Sequence, residues 1–238
     1  HLTAISALRK EWGDDLIILS HHYQRPEIAR LGDVVGDSFE LAKAGARTQA
    51  RYILFCGVRF MAEAAEIMRK PHQTVIHPAP ESGCPLADFA VIDDVAAAYE
   101  TLSAARGAEA VLPLTYMNSS AELKAFVGAH GGMVCTSSNI ARAFEVGFGQ
   151  RPVLFFLPDE NLGANTAHKL GLTSDDVVSW DPTQAQGGLS ATQLQRARLL
   201  LWRGYCHVHT AFSVEDIERC RNELPHCRIV VHPECDPR

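Results

Sequence analysis

The sequence predicts an α/β protein assembled from repeated three-layer αβα domains, each holding a small parallel sheet. Three observations carry that expectation. Short β-branched, apolar runs alternate with helical patterns along all 238 residues, the mark of βαβ units. Three strand-to-helix junctions look alike: Ser20-His-His-Tyr-Gln-Arg-Pro-Glu-Ile, Thr115-Tyr-Met-Asn-Ser-Ser-Ala-Glu-Leu and Cys206-His-Val-His-Thr-Ala-Phe-Ser-Val-Glu-Asp-Ile. Reactive or hydrogen-bonding side chains gather at or near the ends of apolar runs, and in parallel α/β sheets that edge is where ligands bind.

In chain order, the expected strands are Leu16–Ser20, Tyr52–Cys56, Gln73–His77, Ala110–Thr115, Met133–Cys135, Val153–Leu157, Arg203–Val208 and Arg228–Val231. Helix starts are legible between them. Pro26 followed by Glu27 suits a first turn, because proline lacks an N–H that would be unpaired there anyway. Ser119 with Glu122, and Ser213 with Asp216, stand at the spacing by which a capping hydroxyl and a carboxylate satisfy orphan amides.

The similar junctions recur at roughly 100 residues, the ordinary size of a small domain. The expected domains are residues 1–86, residues 87–203, and an incomplete third domain over residues 204–238 with only two strands. Two strands bury too little to stand alone, so that remnant either docks on the other copies or belongs to a fragment.

With 47% hydrophobic and 21% charged residues, the chain has ample material for a buried core. Its net charge of -6, without any Lys/Arg run or basic stripe interleaved with aromatics, argues against a nucleic-acid surface. No apolar stretch approaches the roughly 20 residues that span a bilayer. The start, His1-Leu-Thr-Ala, has neither a basic segment nor an apolar one and reads as a trimmed end rather than a signal peptide.

Seven cysteines, odd in number and widely scattered, do not form a secreted disulfide framework and point to reduced thiols in the cytoplasm. Cys56, Cys135, Cys220 and Cys227 lie in apolar runs or helix-like segments and read as small buried hydrophobes. Cys84 and Cys206 each read as ending a strand next to Gly, Pro or His, where a thiolate could reach a central metal, but with no compact Cys-x-x-Cys run their spacing alone reads as structural. The tail, Val230-Val-His-Pro-Glu-Cys, ends a β-branched run in an imidazole, a carboxyl and a thiol.

The blocks Ser20-His-His-Tyr-Gln, Gly36-Asp-Ser-Phe-Glu-Leu-Ala, Phe55-Cys-Gly-Val-Arg-Phe-Met-Ala-Glu, Ser82-Gly-Cys-Pro-Leu-Ala-Asp, Thr115-Tyr-Met-Asn-Ser-Ser-Ala-Glu, Cys135-Thr-Ser-Ser-Asn, Leu157-Pro-Asp-Glu-Asn-Leu-Gly, Trp202-Arg-Gly-Tyr-Cys-His-Val-His and His232-Pro-Glu-Cys resemble those of the quinolinate synthases. The ordered set is far more specific than any one block. The resemblance implies three similar αβα domains around a pseudo-threefold axis, with a central active site and a 4Fe-4S cluster held by one cysteine from each domain. Here it assigns Cys84 and Cys206 as cluster ligands and expects the third on a segment beyond this sequence. On that reading the chain alone holds at best a labile cluster, and Cys235, taken as the end of an alternating strand, faces away from the iron.

The implied reaction condenses iminoaspartate with dihydroxyacetone phosphate to quinolinate for NAD synthesis, an aspartate oxidase being the implied supplier of iminoaspartate. The open iron acts as a Lewis acid. The resemblance gives His21 a substrate carboxylate and Tyr23 proton handling and placement of the keto sugar. Tyr116 and Asn118 hold the intermediate. Ser38 and Ser137, with Ser138 as the alternative to Ser137, hold phosphate or carboxylate oxygens, and His232 and Glu234 bind substrate and transfer protons. Such anionic substrates suit hydroxyls, amides and imidazoles at helix N-termini, and imine formation with dehydration needs acids and bases tunable toward neutral pH.

Plainer roles compete for some residues. His22, His77, His207 and His209 read as structural histidines, although His209 lies in the Cys-His-Val-His block. Glu40, Glu63 and Glu122 follow helical spacing and read as caps or solvated faces. Two other functions remain open: a zinc hydrolase using Cys206, His209, His232 and Cys235 with Glu234 as base, and a non-catalytic binding module.

Overall fold

In the computed structural model, which describes residues 1–237, the chain divides into two compact units, one spanning His1–Cys84 and the other starting at Pro85. The first unit runs α1 (Leu2–Trp12), β1 (Leu16–His21), α2 (Pro26–Ala29), β2 (Val34–Gly36), α3 (Ser38–Arg47), β3 (Tyr52–Cys56), α4 (Arg59–Met68) and β4 (Thr74–Ile76). Its four strands pair in the order β2-β1-β3-β4, all parallel.

The second unit runs α5 (Pro85–Asp88), α6 (Ile92–Arg106), β5 (Val111–Tyr116), α7 (Ala121–Ala129), β6 (Met133–Cys135), α8 (Ile140–Gln150), β7 (Val153–Leu157), α9 (Glu160–Lys169), β8 (Val177–Trp180), α10 (Ala191–Arg196), β9 (Leu199–Trp202) and α11 (Val214–Glu223). Its five strands pair in the order β6-β5-β7-β9-β8, again all parallel. The protein is therefore α/β, with two small parallel sheets flanked by helices.

Burial explains which strands the sequence announces. The central strands β5, β7 and β9 are buried at every position, since helices cover both faces of a parallel sheet; β5 and β7 match expected apolar runs, whereas β9 lies four residues before its expected place. The edge strands β2 and β8 are short and mostly half-buried. Neither was expected from the sequence, because Val34-Val-Gly and Val177-Val-Ser-Trp carry too little apolar signal.

The expected strand over Arg203–Val208 is absent. The ladder lies just upstream at Leu199–Trp202, and the chain then turns into a loop. Gly204 explains the displacement: a Cβ there would stand 2.4 Å from the Pro158 carbonyl oxygen and 2.8 Å from Phe89, so the loop is pressed against its surroundings rather than paired. Arg228–Val231 is not a strand either, and Val230 and Val231 are 90% and 57% exposed. With no sheet neighbour, β-branched residues alone do not make a strand.

Two of the three helix starts form as expected. Pro26 opens α2, and Ser213 with Asp216 makes a complete capping box at α11. At α7 the cap shifts by one residue: Ser120 accepts from the Leu123 amide, while the Ser119 hydroxyl donates to the Tyr116 carbonyl at 2.7 Å. Cys220 and Cys227, expected inside, are exposed: the charge-rich helix α11 that carries Cys220 buries none of its residues, and Cys227 lies in the open segment after it. Cys135 is buried as expected, and burial pushes its thiol up to about 12. Among the described residues no disulfide forms, and no helix is long and apolar enough to cross a membrane.

Two glycines of one turn separate close packing from backbone entropy. A Cβ at Gly132 would lie 1.9 Å from the Pro113 carbonyl oxygen of β5, whereas a Cβ at Gly128 in α7 would meet nothing within 4 Å. Gly132→Ala should destabilise the protein by roughly 1–3 kcal/mol through overpacking. Gly128→Ala should stabilise it by up to about 1 kcal/mol through helix propensity. Denaturant unfolding of the two variants checks the opposite signs.

Candidate active site

Parallel pairing brings the ends of β1, β5, β6 and β9 to the carboxyl edges of their sheets, and His21, Tyr23, Tyr116, Asn118, Ser137 and Cys206 lie there or in the loops that follow, while Ser38 follows β2, Cys84 follows β4, and His232 and Glu234 lie beyond α11. In the first unit, His21 is the last residue of β1 and is 6% exposed. Its Nδ1 accepts the Tyr23 amide at 3.4 Å, which puts the ring proton on Nε2 and leaves that N–H to donate. Burial, then neighbouring His22, lower the His21 pKa to about 4 despite Asp37, so the ring is neutral near pH 7.

The Tyr23 ring lies 3.9 Å from the His21 ring, and its hydroxyl points at the Met61 sulfur, 3.9 Å away. Desolvation, then the Cys84 thiol beside it, push the phenol up to about 12, so Tyr23 holds its proton. Ser38 opens α3, just after the capping residue Asp37. Cys84 is half-buried and lies in the loop that follows β4, not at the end of a strand.

In the second unit, Tyr116 ends β5 and its hydroxyl donates to Glu234 Oε1 at 2.7 Å. The Ser137 hydroxyl also bonds the Tyr116 hydroxyl. Burial, then the adjoining Glu234, hold Tyr116 well above the usual phenol value. Asn118 is half-buried on the loop from β5 to α7, and exposed Ser138 pairs instead with the Thr136 hydroxyl at 2.9 Å.

Glu234 is 2% exposed even though the residues before it are open to solvent. Its second oxygen, Oε2, lies 3.7 Å from His209 Nε2, and His232 Nδ1 lies 3.6 Å from Oε1. The His209 and His232 rings stack with centroids 4.5 Å apart. His232 Nδ1 accepts the Glu234 amide at 3.3 Å, repeating the arrangement of His21 with Tyr23 and again leaving Nε2–H outward. Burial lowers the His232 pKa, Glu234 opposing and His209 adding.

Cys206, His209 and Glu234 bring a thiol, an imidazole and a carboxyl oxygen within 4.8 Å of one another, a group that can hold a metal ion. His209 Nδ1 is buried without a partner. Burial chiefly raises the Cys206 thiol pKa, so a metal binding there would displace a proton. Cys206 lies in the loop after β9 rather than at a strand end. Cys235 is half-buried and outside the group, so the four-ligand zinc set Cys206, His209, His232 and Cys235 is not assembled.

Two contributors carried no role in the quinolinate synthase reading, although the zinc alternative used His209. His209 read as structural, yet it follows Cys206 by three residues on a tight turn and so reaches the same point. Asp159, in the Leu157-Pro-Asp-Glu-Asn-Leu-Gly block, is fully buried; one oxygen caps α9 through the Leu162 amide at 2.8 Å and the other has no partner. Burial pushes its carboxyl from 3.8 up to about 7, Glu234 adding to the rise and the helix amides opposing it.

The raised folded pKa of Asp159 makes a signed prediction. Its stabilising proton is fully present below the unfolded value of 3.8 and is lost as pH rises through about 7, because the unfolded chain releases it first. Asp159→Asn keeps the oxygen that caps α9 and removes the titration. The variant should gain stability over the parent progressively between pH 4 and 8, read as the difference in Tm across that range; a difference independent of pH would contradict a raised Asp159.

Residues 3–238 match the family model described as Quinolinate synthetase A protein. The chain is 48% identical to the quinolinate synthase of Acidobacterium capsulatum over 97% of its own length and 62% of that protein's. It is 49% identical to the quinolinate synthase of Nocardioides sp. over 96% of its length and 60% of the relative's, and 46% identical to that of Haloarcula marismortui over 97% and 61%. The chain thus spans about three-fifths of the length of these curated relatives. On the family match and these identities, the chain belongs to the quinolinate synthetase A family.

Proposed function

We propose that this chain is part of a quinolinate synthase, a transferase of NAD biosynthesis that condenses iminoaspartate with dihydroxyacetone phosphate to form quinolinate. The observation that carries the reading is the buried Tyr116–Glu234 pair beside the Cys206–His209–Glu234 group in a member of this family. The donor set, with an orphaned imidazole nitrogen and a thiol together, fits a soft metal centre. Cys206 and, by resemblance, Cys84 would hold a 4Fe-4S cluster, a third cysteine being expected from the length of the relatives that this chain does not span. When bound, the cluster supplies a Lewis acid that polarises hydroxyl and carboxylate oxygens.

The side chains divide binding from proton transfer. Neutral His21, with its proton on Nε2, donates to a substrate carboxylate without adding a second acid. Ser38 at the start of α3 meets anionic oxygens where unpaired helix amides favour them. Asn118 and Ser137 are further hydrogen-bonding groups for carboxylate or phosphate oxygens in the second unit. Tyr116 keeps its proton on the hydroxyl and gives Glu234 Oε1 a fixed partner, so exchange at that carboxyl runs through Oε2, the oxygen facing His209 Nε2. His232 offers Nε2–H to substrate. Tyr23, protonated at neutral pH, acts as an acid or an orienting donor.

The reading extends the second unit into the family's three-domain plan, with residues 1–86, 87–203 and 204–238 as successive domains. Unbridged cysteines support a reducing compartment, the cytoplasm, and an aspartate oxidase is the proposed source of the unstable imine.

Cluster loading tests the proposal directly. In the full-length protein, reconstituted without oxygen, Cys84→Ser and Cys206→Ser should each abolish the broad visible absorbance of an iron-sulfur cluster, while Cys56→Ser and Cys220→Ser should leave it. A retained cluster in either of the first pair removes that ligand assignment. Tyr23→Phe should keep the cluster and lower turnover by roughly two to four orders of magnitude, the scale of a lost acid–base group. Near-normal quinolinate formation by that variant would exclude Tyr23 from the chemistry.

A further inference from the structure

Glu234 poses a mechanical problem. It is 2% exposed and bonded to Tyr116, yet Ile229, Val230 and Val231 before it are 38%, 90% and 57% exposed and belong to no strand. A carboxyl at the end of such a segment needs an anchor other than a sheet ladder.

Helix α9 supplies one. Asn161 and Asn165 stand four residues apart, so both side chains project from the same face. Asn165 Nδ2 donates to the carbonyls of Pro233 and Cys235, each at 2.9 Å, and Asn161 Nδ2 donates to the Glu234 carbonyl at 3.3 Å. Three successive backbone carbonyls are thus held by two amides. Both hydrogens of the Asn165 amide are used, and an amide is the one neutral side chain of that size with two to give.

Asparagine is a poor residue for a helix interior, since its side chain competes for backbone hydrogen bonds. Two of them at this spacing are explained by what they hold. The opposite side of α9 is committed to the sheet: a Cβ on Gly163 would lie 2.4 Å from Leu201 and 2.9 Å from Phe156. The helix is therefore a fixed strut, capped by buried Asp159 at its start, and its two amides transmit that fixity to the loop.

We infer that Asn161 and Asn165 are positioning residues that clamp the His232–Cys235 loop and so set Glu234 against Tyr116 and His209. The catalytic part of this inference rests on the role proposed above for Glu234; the clamp itself does not. Asn165→Asp keeps the volume and removes both donors, turning acceptors toward carbonyls.

The test is hydrogen–deuterium exchange in the full-length protein, with quinolinate formation measured alongside. In Asn165→Asp, protection of the Glu234 and Cys235 amides, which the folded loop hydrogen-bonds to His232, should fall by at least about tenfold while β7 and β9 keep theirs, and kcat should fall by about 10²-fold, the scale of a misplaced catalytic group, with less change in KM. Unchanged exchange at Glu234 and Cys235 overturns the clamp, whatever happens to activity. Local loosening with full activity keeps the clamp but overturns the positioning of a catalytic Glu234, which separates this inference from the reading it builds on. Should Asn165→Asp also lose protection in β7 and β9, Asn161→Asp, which removes a single longer bond, is read by the same criteria, and unchanged exchange there overturns the proposal.

Discussion

Parallel strand pairing is the constraint from which the rest of this structure follows. Parallel neighbours cannot be joined by tight turns, so every strand is returned by a crossover that packs on a sheet face, and the central strands become dry on both sides. β5, β7 and β9 are buried throughout, and the polar groups that a buried strand cannot carry are pushed to its carboxyl end. His21, Tyr116 and the loop holding Cys206 all stand at or beyond such ends. Chemistry collects there because the strands leave it nowhere else within the sheet layer.

Burial at that edge then sets protonation. His21 and His232 lose proton affinity by desolvation, and each has Nδ1 engaged by the amide two residues on, so both present Nε2–H as neutral donors. Tyr23 and Tyr116 move the other way and keep their protons. Each unit thus offers neutral hydrogen-bond donors to anionic ligands without accumulating fixed positive charge, His21 and Tyr23 in the first and His232 in the second. Asp159, buried and driven toward 7, shows the cost of placing a carboxyl in the same environment: one oxygen caps a helix and the other finds no partner.

Much of this was legible in the residues. Strands β5 and β7, the proline start of α2 and the capping box of α11 could be read directly, because each depends on neighbours within a few positions, whereas β9 was expected four residues too late. The half-buried edge strands β2 and β8 were invisible, since an edge is stabilised by its ladder partner rather than by its own apolar content. The same reason removes the expected strands at Arg203–Val208 and Arg228–Val231: the runs are β-branched, but no partner strand pairs with them.

The site divides along the same line. Family blocks pointed to Cys84, Cys206, Tyr116, His232 and Glu234, and sequence by itself determined those residue types, their order, and the strands β5 and β7. Only the tertiary structure decided that Glu234 meets Tyr116 at a sequence separation of 118, that His209 joins Cys206 while Cys235 does not, and that Asn161 and Asn165 hold the loop between them. The physical reason is range. Propensity, capping and patterning act over a few residues and leave a trace in the local sequence, whereas a hydrogen bond between distant loops is specified by the packing of everything that brings them together.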